Sequence, residues 1–318
     1  MSTLPAAVVL FGASGFVGRH IAQALAGRVE TLIGVTGQSR SVPGCSRVVP
    51  LAELSSLPEL PADTAVIHVG AFRYDSSRFD LAQSDIVLNN VDLNTRVYHF
   101  CAERKIREVR LASSVAVYEA GLPVMDDAVP VDLNAAPNAN EAFYAWSKRW
   151  AEILAGLYAQ RFGVNSVVFR LSNPYGAYDS VTLTKAHVAP AFVMKALNDD
   201  PVFAIKGDPM VERDFTYVGD VAEAFVRSLA WRGRNETYNL CTGATTTLQT
   251  LAETVLRVAG STKPIEAGAP GAFGPAKRIS TSQRVREALG LEFTTLEAGM
   301  KPTVEWYREE WLRHGFKS

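Results

Sequence analysis

The chain has 318 residues, a formal net charge of −1, 47% hydrophobic and 20% charged residues. Such a length exceeds one ordinary core and fits two lobes of a soluble globular protein. The balanced charge excludes a basic nucleic-acid surface, and no apolar run of about twenty residues offers a membrane span. Cys45, Cys101 and Cys241 are an odd set without CxxC spacing. They predict a reducing, cytoplasmic setting with neither disulfides nor a metal site.

Ala6 to Phe11 is a short apolar run leading straight into glycines, which reads as a first buried strand and not as a signal peptide. Gly12-Ala13-Ser14-Gly15-Phe16-Val17-Gly18 follows, then a helical stretch to Ala26. Glycines between a strand and a helix allow a tight turn, let backbone approach a pyrophosphate, and place that charge at a helix N-terminus. Dinucleotide binding by Gly12, Ser14, Gly15, Phe16, Val17 and Gly18 is therefore expected. Thr31 to Thr36 reads as strand two. A carboxylate at the end of such a strand bonds the ribose 2′-OH of NAD. Here Gly37-Gln38-Ser39-Arg40 has no acid, and Ser39 with Arg40 can hold a 2′-phosphate. That leans toward NADP over NAD; the alternative makes Arg40 a solvated loop charge with NAD still bound.

Arg47 to Leu51 is a weak third strand, and Leu54 to Thr64, broken by Pro58 and Pro61, reads as loop. Ala65 to Ala71 is a fourth strand ending in Gly70 and Ala71, small enough for a cofactor to approach the backbone; His68 inside it is expected to pack. A polar loop at 73–80 precedes a helix from Leu81 to Lys105. Val109 to Ser114 is strand five, with Ser114 at its carboxyl end, where doubly wound sheets bind ligands. A polar loop at 126–140 leads to a helix from Glu141 to Phe162, and Val164 to Leu171 is strand six. Alternating strands and helices predict a parallel sheet covered on both faces.

The rhythm then changes. Ser172 to Gly176 is a turn, His187 to Leu197 a helix, and Pro201 to Lys206 and Arg213 to Tyr217 short strands. Helices are expected over Val218 to Trp231 and Thr247 to Ala259, separated by a strand from Thr237 to Cys241. Residues 261–278 read as a substrate-side loop, and helices near Gln283 to Leu289 and Leu296 to Arg313 close the chain.

Tyr144 and Lys148 are four residues apart and share a helix face. A free phenol, with a pKa near ~10, carries protons poorly at neutral pH. A neighbouring ammonium favours the phenolate; lowering the pKa by about three units takes roughly 4 kcal/mol of differential stabilisation. The pair suits a tuned acid/base that moves a hydroxyl proton while hydride leaves or reaches the same carbon.

In order, GASGFVG at 12–18, LASSVAVY at 111–118, YAWSK at 144–148, RLSNPYG at 170–176, RDFTYVGDVAEA at 213–224, YNLCTG at 238–243 and ALGL with EAGMKPTVEWY inside 288–307 resemble the extended short-chain dehydrogenase/reductase family. Its members include nucleotide-sugar 4-epimerases, dehydratases and ketoreductases. The resemblance implies that Tyr144 is the acid/base, that Lys148 supports it and holds the nicotinamide ribose, and that Ser114 steadies the sugar C4 oxygen. It further implies a nicotinamide-side role for Asn90, substrate contact by Asn173, and pyrophosphate binding by Arg213, with Lys277 or Arg278 adding a second charge. An ion pair of Arg213 with Asp214 or Asp220 is the competing reading. Ser114-Val115-Ala116 lacks the acids of the family's 4,6-dehydratases, which argues against dehydration. Residues 173–176 with 186–190 are similar to GDP-fucose synthase, which places an acid histidine where His187 stands, but Ala116 occupies the place of its partner cysteine. His187 is thus read as either a substrate contact or a helix cap.

The implied architecture is α/β: a Rossmann-type doubly wound parallel sheet over residues 1–172, with 218–245 returning to it, and a smaller α/β substrate lobe from 173–217 and 246–318. The implied activity is hydride transfer at C4 of a nucleotide-diphosphate sugar, as a 4-ketoreductase of a 4-keto-6-deoxy sugar or as a 4-epimerase with tightly held NAD. A non-catalytic cofactor sensor is disfavoured because Ser114, Tyr144 and Lys148 are all present. Apolar residues around helices 81–105 and 141–162 suggest a homodimer built on a four-helix bundle.

Overall fold

A computed structural model describes residues 4–72, 79–268 and 277–316. In chain order it contains β1 (Ala7–Phe11), α1 (Phe16–Leu25), β2 (Thr31–Thr36), β3 (Arg47–Pro50), β4 (Thr64–His68), α2 (Phe79–Glu103), β5 (Glu108–Ser114), β6 (Val124–Met125), α3 (Ala142–Phe162), β7 (Asn165–Leu171) and β8 (Pro174–Tyr175). Then come α4 (Val188–Leu197), β9 (Phe203–Ile205), β10 (Glu212–Arg213), β11 (Thr216–Tyr217), α5 (Val218–Ser228), β12 (Glu236–Leu240), β13 (Thr246–Thr247), α6 (Leu248–Ala259), β14 (Ile265–Ala267), β15 (Ile279–Ser280), α7 (Gln283–Leu289) and α8 (Leu296–His314).

Seven strands form one sheet in the order β12-β7-β5-β4-β1-β2-β3, every pair parallel. Because strand side chains alternate, β1 feeds both faces. Val8 and Leu10 pack with Ile21 and Leu25 of α1 and with Val221 and Phe225 of α5. Val9 and Phe11 pack with Val97 and Tyr98 of α2 and with Ala151 and Leu154 of α3. This is the expected doubly wound sheet, and double coverage explains why β1 and β4 read as unbroken apolar runs. β12 lies at the edge beside β7, in register from Glu236 against Val167 to Leu240 against Leu171. A third cluster joins Phe192 of α4, Phe203 of β9, Leu251 and Val255 of α6, and Met300, Val304 and Tyr307 of α8.

Some expectations are revised. The stretch 54–64 was expected to be loop, yet Leu51–Ser56 forms a 3-10 helix, too short to show a period in sequence. The strand expected to reach Ala71 ends at His68. The strand expected over 213–217 divides into β10 and β11, because buried Asp214 turns away to accept bonds from the Thr242 amide at 3.0 Å and the Gly243 amide at 2.7 Å. The loop expected at 261–278 contains β14, which pairs with β9. Its residues 269–276, like residues 73–78 of the polar loop expected at 73–80, lie outside the described residues, and Phe79 and Asp80 of that loop already belong to α2. Among the described residues no helix is long and apolar enough to cross a membrane.

Candidate active site

One cavity of about 1120 Å³ opens at the carboxyl ends of β1, β2, β4, β5 and β7. It sits where the sheet order reverses, between β1 and β4, the position at which doubly wound folds bind ligands. The 12–18 loop forms its floor. Gly12 turns with φ +84°, its amide donates to the Val35 carbonyl at 2.9 Å, and a Cβ there would lie 2.5 Å from the Gly70 nitrogen. A Cβ on Gly18 would overlap the Gly12 carbonyl. The first amides of α1, beginning at Phe16, open beside this loop. Backbone stripped of side chains at a helix N-terminus fits the pyrophosphate of a dinucleotide. Gly70 and Ala71 line the adjoining wall.

Thr36, Gly37 and Leu51 line the cavity beyond β2, whereas Ser39 and Arg40 do not reach its wall. The Thr36 hydroxyl donates to the Ser39 carbonyl at 2.6 Å. Arg40 makes a two-pronged pair with Glu53, at 2.8 and 2.7 Å. Asn90 is buried behind the wall; its side chain accepts from the Phe72 amide at 2.9 Å and donates to the Phe72 and Ile86 carbonyls at 3.1 and 2.9 Å. The residue read as a nicotinamide-side contact is thus seen fastening the backbone of Phe72, which itself lines the cavity.

Ser114, Tyr144 and Lys148 all line this cavity. Ser114 ends β5, and its hydroxyl accepts from the Ala116 amide at 3.2 Å. Lys148 is buried, donates from Nζ to the Ala112 carbonyl at 2.8 Å, and lies 5.8 Å from the centre of the Tyr144 ring. Neighbouring His68 donates from Nε2 to Asn94 Oδ1 at 2.8 Å. Burial, then the Lys148 charge, pushes the His68 pKa down to about 4, against the opposing effect of Asn94. A neutral imidazole therefore adds no second cation beside Lys148.

A buried polar chain sits beneath these groups. The Ser113 hydroxyl donates to Glu152 Oε1 at 2.5 Å, Arg170 donates to both Glu152 oxygens at 3.0 and 2.7 Å, and Arg170 Nη1 donates to the Tyr118 hydroxyl at 2.9 Å. Tyr118 in turn donates to Asn239 Oδ1 at 2.9 Å. Buried pairs of this kind add little net stability but penalise every other arrangement once formed. They tie β5, α3, β7 and β12 together under Ser114 and Tyr144.

On the opposite side, Asn173 lines the cavity with φ +35°, a conformation asparagine tolerates, and donates to the Asp214 carbonyl at 2.9 Å. His187 also lines it. It stands at the N-cap position of α4 but makes no side-chain cap bond. Its Nδ1 instead pairs with Asp179 at 2.9 Å, so the capping alternative is excluded. Arg213 lies outside the cavity wall, with Nη1 donating to the Glu212 carbonyl at 2.8 Å. Among the described residues no ion pair joins Arg213 to Asp214 or Asp220; the Asp214 carboxylate serves Thr242 and Gly243, and the Asp220 carboxylate serves Thr294. Arg278 does line the cavity and pairs with Glu141 at 2.5 Å, whereas Lys277 turns to Glu212 at 2.8 Å.

Sequence reading missed Glu53, Glu141 and Asp179, each the acidic partner of a basic residue it had named. Glu141 left a usable signal, an acid three residues before Tyr144 and therefore on its helix face. Asp179 and Glu53 left none, because their partners are set by loop geometry.

The parallel sheet, its switch point and the glycine-floored cavity define a Rossmann-type dinucleotide-binding protein. The model of the NAD dependent epimerase/dehydratase family matches residues 8–241, and the chain belongs to that family. It is 25% identical over 316 residues to a dTDP-4-dehydro-6-deoxy-D-allose reductase of a Streptomyces species, covering 95% of this chain and 96% of that one. It is 26% identical over 322 residues to the Escherichia coli dTDP-4-dehydro-6-deoxyglucose reductase, covering 93% of each. Among solved structures it is similar to a Brucella ovis UDP-glucose 4-epimerase in complex with NAD, at a TM-score of 0.79 and 25% identity, covering 95% of this chain and 98% of that one.

Proposed function

We propose that the protein is an NAD(P)-dependent enzyme that reduces C4 of a nucleotide-diphosphate-linked 4-keto-6-deoxy sugar. The observation that carries this reading is one continuous cavity with the glycine loop at one end and Ser114, Tyr144 and Lys148 on its wall. When bound, the reduced dinucleotide supplies the hydride that becomes the C4 hydrogen. Tyr144 gives its phenolic proton to the C4 oxygen as the carbonyl becomes an alcohol, and the proton is later replaced from solvent. The Ser114 hydroxyl donates to the same oxygen and holds it as charge develops. The buried Lys148 ammonium offsets the phenolate that remains. Arg278, with Arg213 behind it, pairs with the diphosphate, while His187, braced by Asp179, and Asn173 contact the sugar. The two dehydro-deoxy-sugar reductases that match nearly the whole chain support this substrate class.

A 4-epimerase uses the same machinery twice, and the Arg40–Glu53 pair favours it, because an arginine already engaged leaves room for NAD. The two readings separate on the cofactor. For a reductase, the freshly purified protein releases no stoichiometric NAD on denaturation and binds NADPH more tightly than NADH; Arg40→Glu reverses that preference. Stoichiometric NAD in the mass spectrum of the denatured protein, with Arg40→Glu neutral, establishes the epimerase instead.

The homodimer belongs to the same proposal. Leu88 of α2 and Phe143, Trp146, Trp150 and Leu157 of α3 are exposed on adjoining helices, and large apolar patches of this kind mark interaction surfaces. Gel filtration is expected to give twice the chain mass; a monomer at working concentration removes the claim. The three cysteines are unpaired, which supports a cytoplasmic location.

A further inference from the structure

Glu141 is the acid nearest the start of α3, one turn before Tyr144, and it lines the cavity with Arg278. It holds the N-cap position of α3, yet its side chain makes no bond to the helix amides. It reaches across to Arg278 Nη1 at 2.5 Å, with both side chains largely buried. Arg213 stands close enough to feel both. Burial first, and then the Arg278 charge, lowers the Arg213 pKa, while Glu141 works in the opposite direction. Two guanidiniums thus share the field of one carboxylate. The other acid nearby, Glu212, is committed to Lys277 and Thr245.

We propose that Glu141 is a resident counter-anion: it occupies Arg278 while the cleft is empty and gives that guanidinium up when the diphosphate of a nucleotide enters. This rests on the reading of Arg213 and Arg278 as phosphate ligands. Arg278 meets Glu141 through Nη1; a phosphate taken up by the two-pronged fork of a guanidinium needs that edge as well, so the two anions compete for it. The released carboxylate stays near the incoming phosphates in a half-buried site, where like charges repel more than in water. It also has somewhere to turn. The N-terminus of α3 carries partial positive charge, and the Glu141 side chain leaves its amides unused in the present conformation. Glu141 therefore weakens nucleotide binding, and it does so from the helix that carries Tyr144.

Two consequences follow with opposite signs. Without ligand, Glu141→Gln removes the carboxylate paired with Arg278, so the melting temperature falls. With ligand, it removes a competitor, so affinity rises. A residue that merely braced the helix would lower both. The test is calorimetric titration of the wild-type protein and Glu141→Gln with UDP, dTDP and GDP, and with the matching nucleosides lacking phosphate. The expected result is about tenfold tighter binding of at least one diphosphate by Glu141→Gln, equivalent to ~1.4 kcal/mol, with the nucleoside unchanged. Glu141→Asp, which keeps the charge, should stay near wild type. Wild-type binding with no gain, or a loss, in Glu141→Gln overturns the counter-anion role and leaves the phosphate reading standing. If neither protein binds any diphosphate, the phosphate reading itself fails and this inference falls with it. If Glu141→Gln does not fold, Glu141→Ala is read in the same titration.

Discussion

Tyr144→Phe is expected to lower turnover by about 10²–10⁴-fold, the usual worth of a positioned acid/base. The substitution removes one oxygen. The phenyl ring keeps its place on α3, and Lys148 keeps its bond to the Ala112 carbonyl. Nothing on the glycine loop is touched, so NADPH and nucleotide affinities should stay within about twofold, well under the tenfold that 1.4 kcal/mol represents. The loss should therefore fall on kcat and not on KM, as for an interaction made only in the transition state. Stopped-flow reduction of a 4-keto sugar nucleotide, with cofactor affinity measured separately by fluorescence, reads both quantities. Turnover unchanged from wild type would remove Tyr144 from the chemistry.

Gly12→Ala is expected to abolish dinucleotide binding and to destabilise the fold by about 2–4 kcal/mol, from a left-handed backbone that alanine resists plus overpacking against neighbouring main chain. The new methyl group would meet the Gly70 nitrogen at 2.5 Å and its Cα at 2.6 Å. Neither partner can yield easily, since both loops follow directly on β1 and β4, paired in the middle of the sheet. Gly27→Ala is the control. Gly27 has a similar φ of +71° but nothing within 4 Å, so only the backbone penalty applies. It should cost about 1 kcal/mol and leave cofactor binding intact. Thermal unfolding and NADPH titration of both variants separate steric exclusion from backbone preference; equal effects would show that the close approach of the two loops does not matter.

Local rules accounted for much of the molecule. The β1–loop–α1 unit was legible because strand, glycines and helix each carry their own signal, and the signals agree. The Tyr144–Lys148 pair was legible because helical spacing places both on one face. Long-range pairings were another matter. That Arg40 meets Glu53, Arg278 meets Glu141 and His187 meets Asp179 depends on loop paths that no periodicity encodes. Each pairing changes what its basic residue can do: Arg40 has to leave Glu53 before meeting a 2′-phosphate, and His187 is oriented by a carboxylate instead of capping α4. The buried chain from Ser113 through Glu152 and Arg170 to Tyr118 was hidden for the same reason. Its members lie on β5, α3, β7 and the loop after β5, and in sequence each is only a polar residue in an otherwise apolar stretch. Asn90 shows the converse. Its place in a motif was readable, but its contacts with Phe72 and Ile86 put it behind the cavity wall.

Following the hydride tests reduction at C4. NADPH carrying deuterium at both nicotinamide C4 positions is incubated with the protein and, in parallel, dTDP-, UDP- and GDP-linked 4-keto-6-deoxyglucose, and the products are read by NMR. One deuterium is expected at sugar C4 for each NADPH oxidised, with at least one of the three nucleotides. NADPH left unconsumed with all three, or label at any sugar carbon other than C4, would contradict it.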